Sequence, residues 1–134
     1  MNRERNGKGK EYYDNGKLKF EGEYKNGKRN GTGKEFRSGN LEFEGEYLNG
    51  EKNGFGKEFN KNGKLEFEGE YFQDYKNGKG KEYFDGLLIF EGHYKNGDKY
   101  KGKYYKNGYL EFQGEFKTNI KYNGYGFDKK GKII

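Results

Sequence analysis

Carboxylates at alternate positions are the first residues of this chain that could do chemistry. In one stretch they are Glu42, Glu44 and Glu46. Such a row could hold a cation or supply the acid and base of a glycoside hydrolase, but acid–base catalysis needs two carboxyl groups in different environments. Here they repeat identically beside lysines, the full set being Glu42, Glu44, Glu46, Glu66, Glu68, Glu70, Lys34, Lys57 and Lys81. We interpret them as a solvated face of cross-strand charge pairs.

One histidine and a series of Gly-x-Gly pairs are the other candidates for chemistry. His93 has no cysteine or second histidine to accompany it, so the pattern does not favour a metal site or a nucleophilic triad. Pairs such as Gly31 and Gly33 would hold phosphate only where a strand leads into a helix N-terminus, and no helical pattern follows them. The sequence therefore predicts no catalytic residue, no metal site, no cofactor and no small-molecule substrate.

A short phrase that recurs along the chain positions these carboxylates. Its copies run from Leu18 to Tyr24, Leu41 to Tyr47, Leu65 to Tyr71, Leu88 to Tyr94 and Leu110 to Phe116. Within each copy, apolar residues or glycine alternate with charged or polar residues, which is the period of a strand with one buried face. The alternation predicts that Leu41, Phe43, Gly45 and Tyr47 point to one face of a sheet and the glutamates to the other.

The phrase belongs to an internal repeat of 22 to 24 residues, marked by the glycine pairs. Each unit reads as a short strand, such as Gly33 to Phe36, and the longer phrase, joined by turns in which Asn-Gly supplies the positive φ angles of tight hairpins. At two of the turns Asp74 and Asn119 replace glycine, and both residue types tolerate that backbone conformation. We divide the chain into one array over 1–134, with units at 7–30, 31–53, 54–77, 78–99, 100–123 and a partial unit at 124–134.

Proline is absent and no stretch has helical periodicity. We therefore predict an all-β fold, an elongated single-layer antiparallel meander of about eleven strands that forms a β-hairpin solenoid. Only 28% of the residues are hydrophobic and 37% are charged, but 19% are aromatic. Such a composition excludes a thick globular core and favours a thin structure that buries one aromatic stripe.

The predicted stripe is also the predicted binding surface. Its rings are Phe20, Tyr24, Phe43, Tyr47, Phe67, Tyr71, Phe90, Tyr94, Phe112 and Phe116. The glycines expected to leave space beneath them are Gly22, Gly45, Gly69, Gly92 and Gly114. Because a single-layer sheet has no second layer, a partner, a second copy of the chain or the curvature of the sheet must cover the rings.

The glycine and aromatic spacing resembles the MORN repeat over essentially the whole chain. The spacing is Phe20-x-Gly22-x-Tyr24-x-x-Gly27-x-x-x-Gly31-x-Gly33, and it returns from Phe43 to Gly56. Asn15-Gly16-Lys17-Leu18 leading into the phrase is similar to the bacterial variant found in YwqK-like antitoxins. The resemblance implies an elongated single-layer sheet used for protein association, with phospholipid binding also proposed for the family, and it implies no catalytic residue.

These observations predict a non-enzymatic scaffold that binds a protein partner, with self-association into a homo-oligomer as part of the same hypothesis. The formal charge of +6, carried by charged residues dispersed along the chain, leaves an anionic membrane surface as an alternative. A further alternative is an antitoxin or immunity protein that binds a cognate toxin. Nucleic acid is not an expected partner, because the phrase is acidic and its rings are expected to be buried.

No apolar run approaches the length of a membrane span, and Met1 to Tyr12 lacks the apolar stretch of a signal peptide. The compartment is not defined by the sequence, and the cytoplasm is the default expectation.

Overall fold

The computed structural model describes residues 5–134, and it confirms the predicted all-β fold. Eleven antiparallel strands form one open sheet in strict sequence order, so every strand pairs with its neighbours in the chain. The strands are β1 (Gly7–Tyr12), β2 (Leu18–Lys25), β3 (Lys28–Arg37), β4 (Asn40–Leu48), β5 (Glu51–Phe59), β6 (Leu65–Phe72), β7 (Tyr75–Phe84), β8 (Leu87–Lys95), β9 (Asp98–Lys106), β10 (Tyr109–Lys117) and β11 (Ile120–Gly126). All extensive contacts join consecutive strands, as expected for a solenoid.

Two-residue turns close most of the hairpins. In the turn between β4 and β5, Asn49 and Gly50 have φ angles of 50° and 90°, the type I′ combination whose twist matches that of paired strands. Asp74 and Asn119 adopt the same left-handed conformation, with φ angles of 71° and 64°. The prediction that these two residues can replace glycine at the turns is therefore confirmed.

A row of glycines crosses the sheet, one from each strand, and allows the rings to lie close to the backbone. Gly45 pairs with Gly33 on one side and with Gly56 on the other. A Cβ atom on Gly45 would lie 2.7 Å from the Gly56 Cα and 2.8 Å from the Phe43 Cζ. Because the nearest obstacle is backbone, a side chain here would force two strands apart.

Bulges interrupt the ladder between repeats. In the β2–β3 pair, Gly22 lies across from Gly33 but Tyr24 lies across from Arg29, so Glu23 faces three residues of β3. The β4–β5 and β6–β7 pairs have the same three-residue bulge. In the β8–β9 pair the bulge is shorter, and only Tyr100 is extra.

A second bulge, within each hairpin, overturns one sequence prediction. Phe43 pairs with Glu35, whereas Leu41 pairs with Phe36, so Glu42 is the extra residue. Cross-strand partners share a face of the sheet, and Phe36 follows Glu35 by one residue. Leu41 therefore points away from the face of Phe43, because the extra residue shifts the alternation.

The chain continues beyond β11 in the pattern of the repeat. Phe127 and Ile133 form an isolated antiparallel bridge, at the positions that correspond to the Tyr12–Leu18 pair of the first hairpin. Residues 1–4, where the predicted array and the segment examined for a signal peptide begin, lie outside the described residues. Among the described residues, no helix is long and apolar enough to cross a membrane.

Candidate functional site

The ten aromatic residues singled out in the sequence form one continuous row on one face of the sheet, called here the ring face. Each ring meets the next edge to face, with centroids 5.2 to 5.8 Å apart and interplanar angles of 84° to 88°. This geometry is favourable because the positive edge of one ring meets the negative face of the next. Phe43, for example, contacts Tyr47 of its own strand and Tyr71 two strands away.

The chain itself covers this row. Phe20, Phe43, Phe67 and Phe90 are at most 1% exposed, and Phe112 is the one partly buried member of the ten. A cation of the following strand lies over each of these four rings. The distance from the Arg29 Cζ to the Phe20 centroid is 4.1 Å, and the Lys52 and Lys76 Nζ atoms lie 4.2 Å from the centroids of Phe43 and Phe67.

These contacts mean that side chains of the chain itself hide most of the stripe without a partner. Docking of a partner directly on the ten rings stays a prediction, and such a partner would first have to displace the cations.

Carboxylates on the ring face hold both the cations and the tyrosines. Glu58 accepts a hydrogen bond from the Tyr71 hydroxyl at 2.6 Å and forms an ion pair with Lys76 at 3.6 Å. In the other repeats of this type Glu11, Glu35 and Glu82 accept from Tyr24, Tyr47 and Tyr94. The pKa of Glu11 is lowered, chiefly by the hydrogen bond from Arg29, against the opposing effect of burial.

Burial dominates the ionisation of the ring-face tyrosines. The pKa values of Tyr47, Tyr71 and Tyr94 are raised far above the ordinary phenol value, first by burial and then by the neighbouring carboxylates. Neutral phenols that donate to carboxylates satisfy the buried hydroxyls, so this face is a structural assembly of rings, carboxylates and cations.

The opposite face, called here the groove face, contains two open depressions. The first has a volume of about 970 Å³ and extends from β1 to β5; the second, of about 750 Å³, extends from β5 to β10. The backbone of the glycine row forms the floor of both. The side chains that flank each glycine in its strand form the walls. Phe55 lines both depressions and is 49% exposed, so it stands at the point where they meet.

A row in which lysine and glutamate alternate forms one wall of the depressions. Lys34 lies directly between Glu21 and Glu44, and Lys57 lies between Glu44 and Glu68. The sequence predicted charge pairs along this row. The structure brings the residues into register, but the ion pairs found among residues 5–134 are on the ring face, at the strand ends or at the turns.

Three glutamates of the groove face have a role that the sequence did not reveal. The carboxylates of Glu23, Glu46 and Glu70 accept hydrogen bonds from the backbone N–H groups of Thr32, Phe55 and Lys79. Each of these N–H groups belongs to a three-residue bulge. One signal for this role was present in the sequence: in the first three repeats the glutamate occurs together with a long inter-unit segment. In the fourth repeat His93 replaces the glutamate and the segment is shorter.

Exposed apolar side chains lie on the groove face in the middle of the array. Phe72 follows the ring-face residue Tyr71 and pairs with Tyr75, and their exposed fractions are 53% and 60%. Leu48 follows Tyr47 in the same way and is also exposed. Together with Phe55 they provide apolar contacts beside a charged groove.

The arrangement on the groove face offers surfaces for binding. Within residues 5–134, no group of three or more histidines, cysteines, aspartates or glutamates could hold a metal ion. His93 lines the second depression, where it lies across from Lys79 and Lys101.

Comparison with known proteins identifies the repeat. The sequence profile of the family described as MORN repeat matches residues 4–17, 20–41, 43–64 and 67–86, together more than half of the chain. No curated protein sequence matches the chain.

Proposed function

Because the chain belongs to the MORN repeat family, we propose that it is a non-enzymatic scaffold that binds a protein partner on its groove face. MORN repeats are generally protein or membrane interaction modules. The observation that carries the proposal is the contrast between the faces. Cations and carboxylates fill the ring face, whereas the groove face has a bare backbone floor, charged walls and exposed apolar side chains.

The shape of the groove suits an elongated segment of a partner. The two depressions share Phe55 and cross most of the sheet, and a long segment would meet the same pattern of lysine and glutamate at each repeat. Such a surface gives specificity through charge register, while a few apolar anchors supply most of the affinity. Phe55, Phe72 and Tyr75 are the anchors available.

Phe55→Glu tests this proposal. The substitution places a charge at the junction of the depressions and leaves the buried row of rings intact. Tagged wild-type protein should retrieve a defined partner from its own cell lysate, identified by mass spectrometry, and Phe55→Glu should lose it. The matched control is Phe84→Glu, because Phe84 is 73% exposed but lines neither depression. Retrieval of the same partner by Phe55→Glu would contradict the proposal.

The protein partner in this proposal could be a second copy of the same chain, in which case the groove face would mediate self-association. Sedimentation of the wild type and of Phe55→Glu distinguishes it from binding to another protein. A dimer that Phe55→Glu converts to a monomer would assign the groove face to the homo-oligomer, and a monomer at all concentrations would remove this version.

A peripheral membrane function is the alternative that the charge supports. Lys25 and Lys28 form an exposed pair at the first inter-unit turn, and the formal charge of the chain is +6. Flotation with vesicles that contain anionic phospholipid, at low and high salt, tests it. Absence of binding at low salt would exclude this alternative.

The narrower proposal of an antitoxin or immunity protein rests on the likeness of Asn15-Gly16-Lys17-Leu18 to the bacterial variant. Retrieval of a toxin in the same capture experiment, together with a toxin gene beside this one, would support it. A gene with no toxin among its neighbours would argue against it.

A further inference from the structure

The positive charge of the chain is concentrated at one end, although charged residues occur along its whole length. Residues 1–94 contain eighteen basic and eighteen acidic residues, and residues 95–134 contain ten lysines and four acidic residues. The entire formal charge of +6 therefore lies after Tyr94, in β9, β10, β11 and the turns around them. This end should be the part of the molecule that attracts a polyanion.

Three exposed tyrosines occupy the groove face at the same end. Tyr100, Tyr122 and Tyr125 are 49%, 66% and 63% exposed, in contrast to the buried tyrosines of the ring face. Tyr100 and Tyr122 are the extra residues in the two C-terminal bulges. Tyr125 pairs with Gln113, which lines the second depression.

Lysines of the groove face lie beside two of these rings. The Lys95 and Lys101 Nζ atoms lie 5.8 and 6.0 Å from the Tyr100 centroid, and the Lys117 Nζ lies 5.5 Å from the Tyr122 centroid. We call this set the C-terminal tyrosine surface: Tyr100, Tyr122, Tyr125, Lys95, Lys101, Lys103 and Lys117. Lys101 and Lys103 also line the second depression.

Substitutions in the repeat make this surface more basic than its counterparts. Gln113 occupies the place of Glu21, Glu44, Glu68 and Glu91 in the charged row. Lys95 and Lys117 occupy the place taken in the middle of the array by Leu48 and Phe72. Glu91, the carboxylate across from Lys103, accepts a hydrogen bond from Tyr105 at 2.6 Å.

We propose that the C-terminal tyrosine surface binds single-stranded nucleic acid. Exposed tyrosines offer stacking platforms for unpaired bases, and lysines that alternate with them match the phosphates of the connecting backbone. An acidic protein segment would use the lysines but has no need of three exposed rings beside them. The reasons for not expecting nucleic acid were the acidic phrase and the burial of its rings. They do not apply here, because these tyrosines lie outside the phrase and are exposed.

The repeat provides a matched control for the test. Lys8 and Lys10 flank Gly9 in β1 as Lys101 and Lys103 flank Gly102 in β9, and all four lysines are exposed. Binding of a fluorescent oligothymidylate of about 12 nucleotides is measured by anisotropy at about 50 mM salt, with the full chain. The pair of changes Lys101→Glu and Lys103→Glu should weaken binding by at least about tenfold, and Lys8→Glu with Lys10→Glu by less than about threefold.

A second variant separates stacking from general attraction to negative charge. The triple change Tyr100→Ala, Tyr122→Ala and Tyr125→Ala keeps the formal charge and should weaken oligonucleotide binding by at least about tenfold. It should leave binding to heparin unchanged. Far-UV circular dichroism checks that each variant retains its sheet.

Three results would overturn the proposal. They are no binding of the oligonucleotide by the wild type, equal losses in the two lysine variants, and a triple variant that binds as well as the wild type. Vesicles of anionic lipid that bind the triple variant and the wild type equally, while the oligonucleotide binds neither, would assign this end to a membrane instead.

Discussion

The first four repeats and the fifth build the same ring row with different polar partners. In the first four, a tyrosine hydroxyl donates to a glutamate of the preceding strand, as Tyr94 does to Glu82 at 2.6 Å. In the fifth, Phe116 takes the place of the tyrosine and Tyr104 the place of the glutamate. Both partners have changed together, and Phe116 remains buried in the row with Phe90 as its neighbour.

In the first four repeats, the length of the inter-unit bulge changes together with the residue that faces it. Where a glutamate such as Glu46 accepts a hydrogen bond from a bulge amide, the bulge contains three residues. In the fourth repeat the bulge has one extra residue and His93 replaces the glutamate. In the fifth repeat the bulge is equally short, although Glu115 is retained.

The ring row teaches that the tyrosine and the glutamate that accepts from it are kept or lost together. A buried hydroxyl or charge left without its partner costs more than the pair contributes when both are present. The shared requirement of all five repeats is the glycine row and the edge-to-face contact of the rings.

The largest expected effect comes from removing a ring in the well-covered part of the row. Phe67→Ala should lower the free energy of unfolding by about 3 to 5 kcal/mol, because Phe67 is 1% exposed and contacts two tyrosines. Phe112→Ala should cost less, because Phe112 is only partly buried. Urea unfolding followed by circular dichroism measures both, and equal losses would mean that the fifth repeat is packed as tightly as the others.

Alkaline pH should destabilise the sheet chiefly through the first four repeats. Their buried tyrosines have raised pKa values in the folded state, so unfolding releases protons above about pH 10 and stability falls as the pH rises. Each such tyrosine should contribute a slope of about 1.4 kcal/mol per pH unit until its folded pKa is reached. Tyr94→Phe, which imitates Phe116, should make the decline shallower by one such contribution.

A phenolate absorbance titration checks the assignment of these tyrosines. Burial and hydrogen bonds to Glu68 and Glu91 raise the pKa of Tyr83 and Tyr105 to about 12. We expect these two tyrosines to ionise before the ring-face tyrosines, which should ionise only when the sheet unfolds. A titration in which all tyrosines ionised together near pH 10 would contradict the described burial.

Much of this architecture can be predicted from the sequence, because the same pattern of strands and turns recurs in every repeat. Alternation in Leu41 to Tyr47, together with Asn-Gly at the turns, predicts the strands and their meander. The spacing of Phe43 and Tyr47 places their rings on one face of one strand. Repetition then brings the rings of all units into one row.

The partners of the rings could not be predicted, because they depend on the register of bulges. Glu58 and Glu68 are the same residue type in similar local sequence, yet Glu58 contacts Tyr71 on the ring face and Glu68 contacts Tyr83 on the groove face. Leu41 was assigned to the wrong face for the same reason. The positions of the covering cations, such as Lys52, could not be predicted either. They depend on a three-residue bulge, and simple alternation along a strand does not predict a bulge.

A double-mutant cycle tests the tyrosine–glutamate contact of the first four repeats against the combination of phenylalanine and tyrosine found in the fifth. Glu58→Tyr alone leaves Tyr71 and Lys76 without their carboxylate, and should cost about 1 to 3 kcal/mol. Adding Tyr71→Phe recreates the combination found in the fifth repeat. The double variant should therefore be more stable than the sum of the two single losses predicts, by at least about 0.5 kcal/mol. Additive losses would show that the hydroxyl and the carboxylate do not act as a unit.

The smallest expected effect concerns the bulge glutamates. Glu46→Ala should cost about 1 kcal/mol, because the backbone N–H of Phe55 loses its acceptor. Glu115→Ala should change the free energy of unfolding by less than about 0.5 kcal/mol, since Glu115 is exposed and its bulge has only one extra residue. Glu44→Gln, in the charged row, should also stay within about 0.5 kcal/mol.

Together, these three variants show whether the stability contributed by Glu46 comes from its hydrogen bond to the bulge, from its charge or from neither. If Glu46→Ala matched Glu44→Gln, the amide contact would contribute nothing and bulge length alone would distinguish the repeats. If Glu115→Ala matched Glu46→Ala, the contribution would come from carboxylate charge near the backbone and not from the three-residue bulge. A loss confined to Glu46→Ala is the result that would tie this glutamate and the three-residue bulge into one unit.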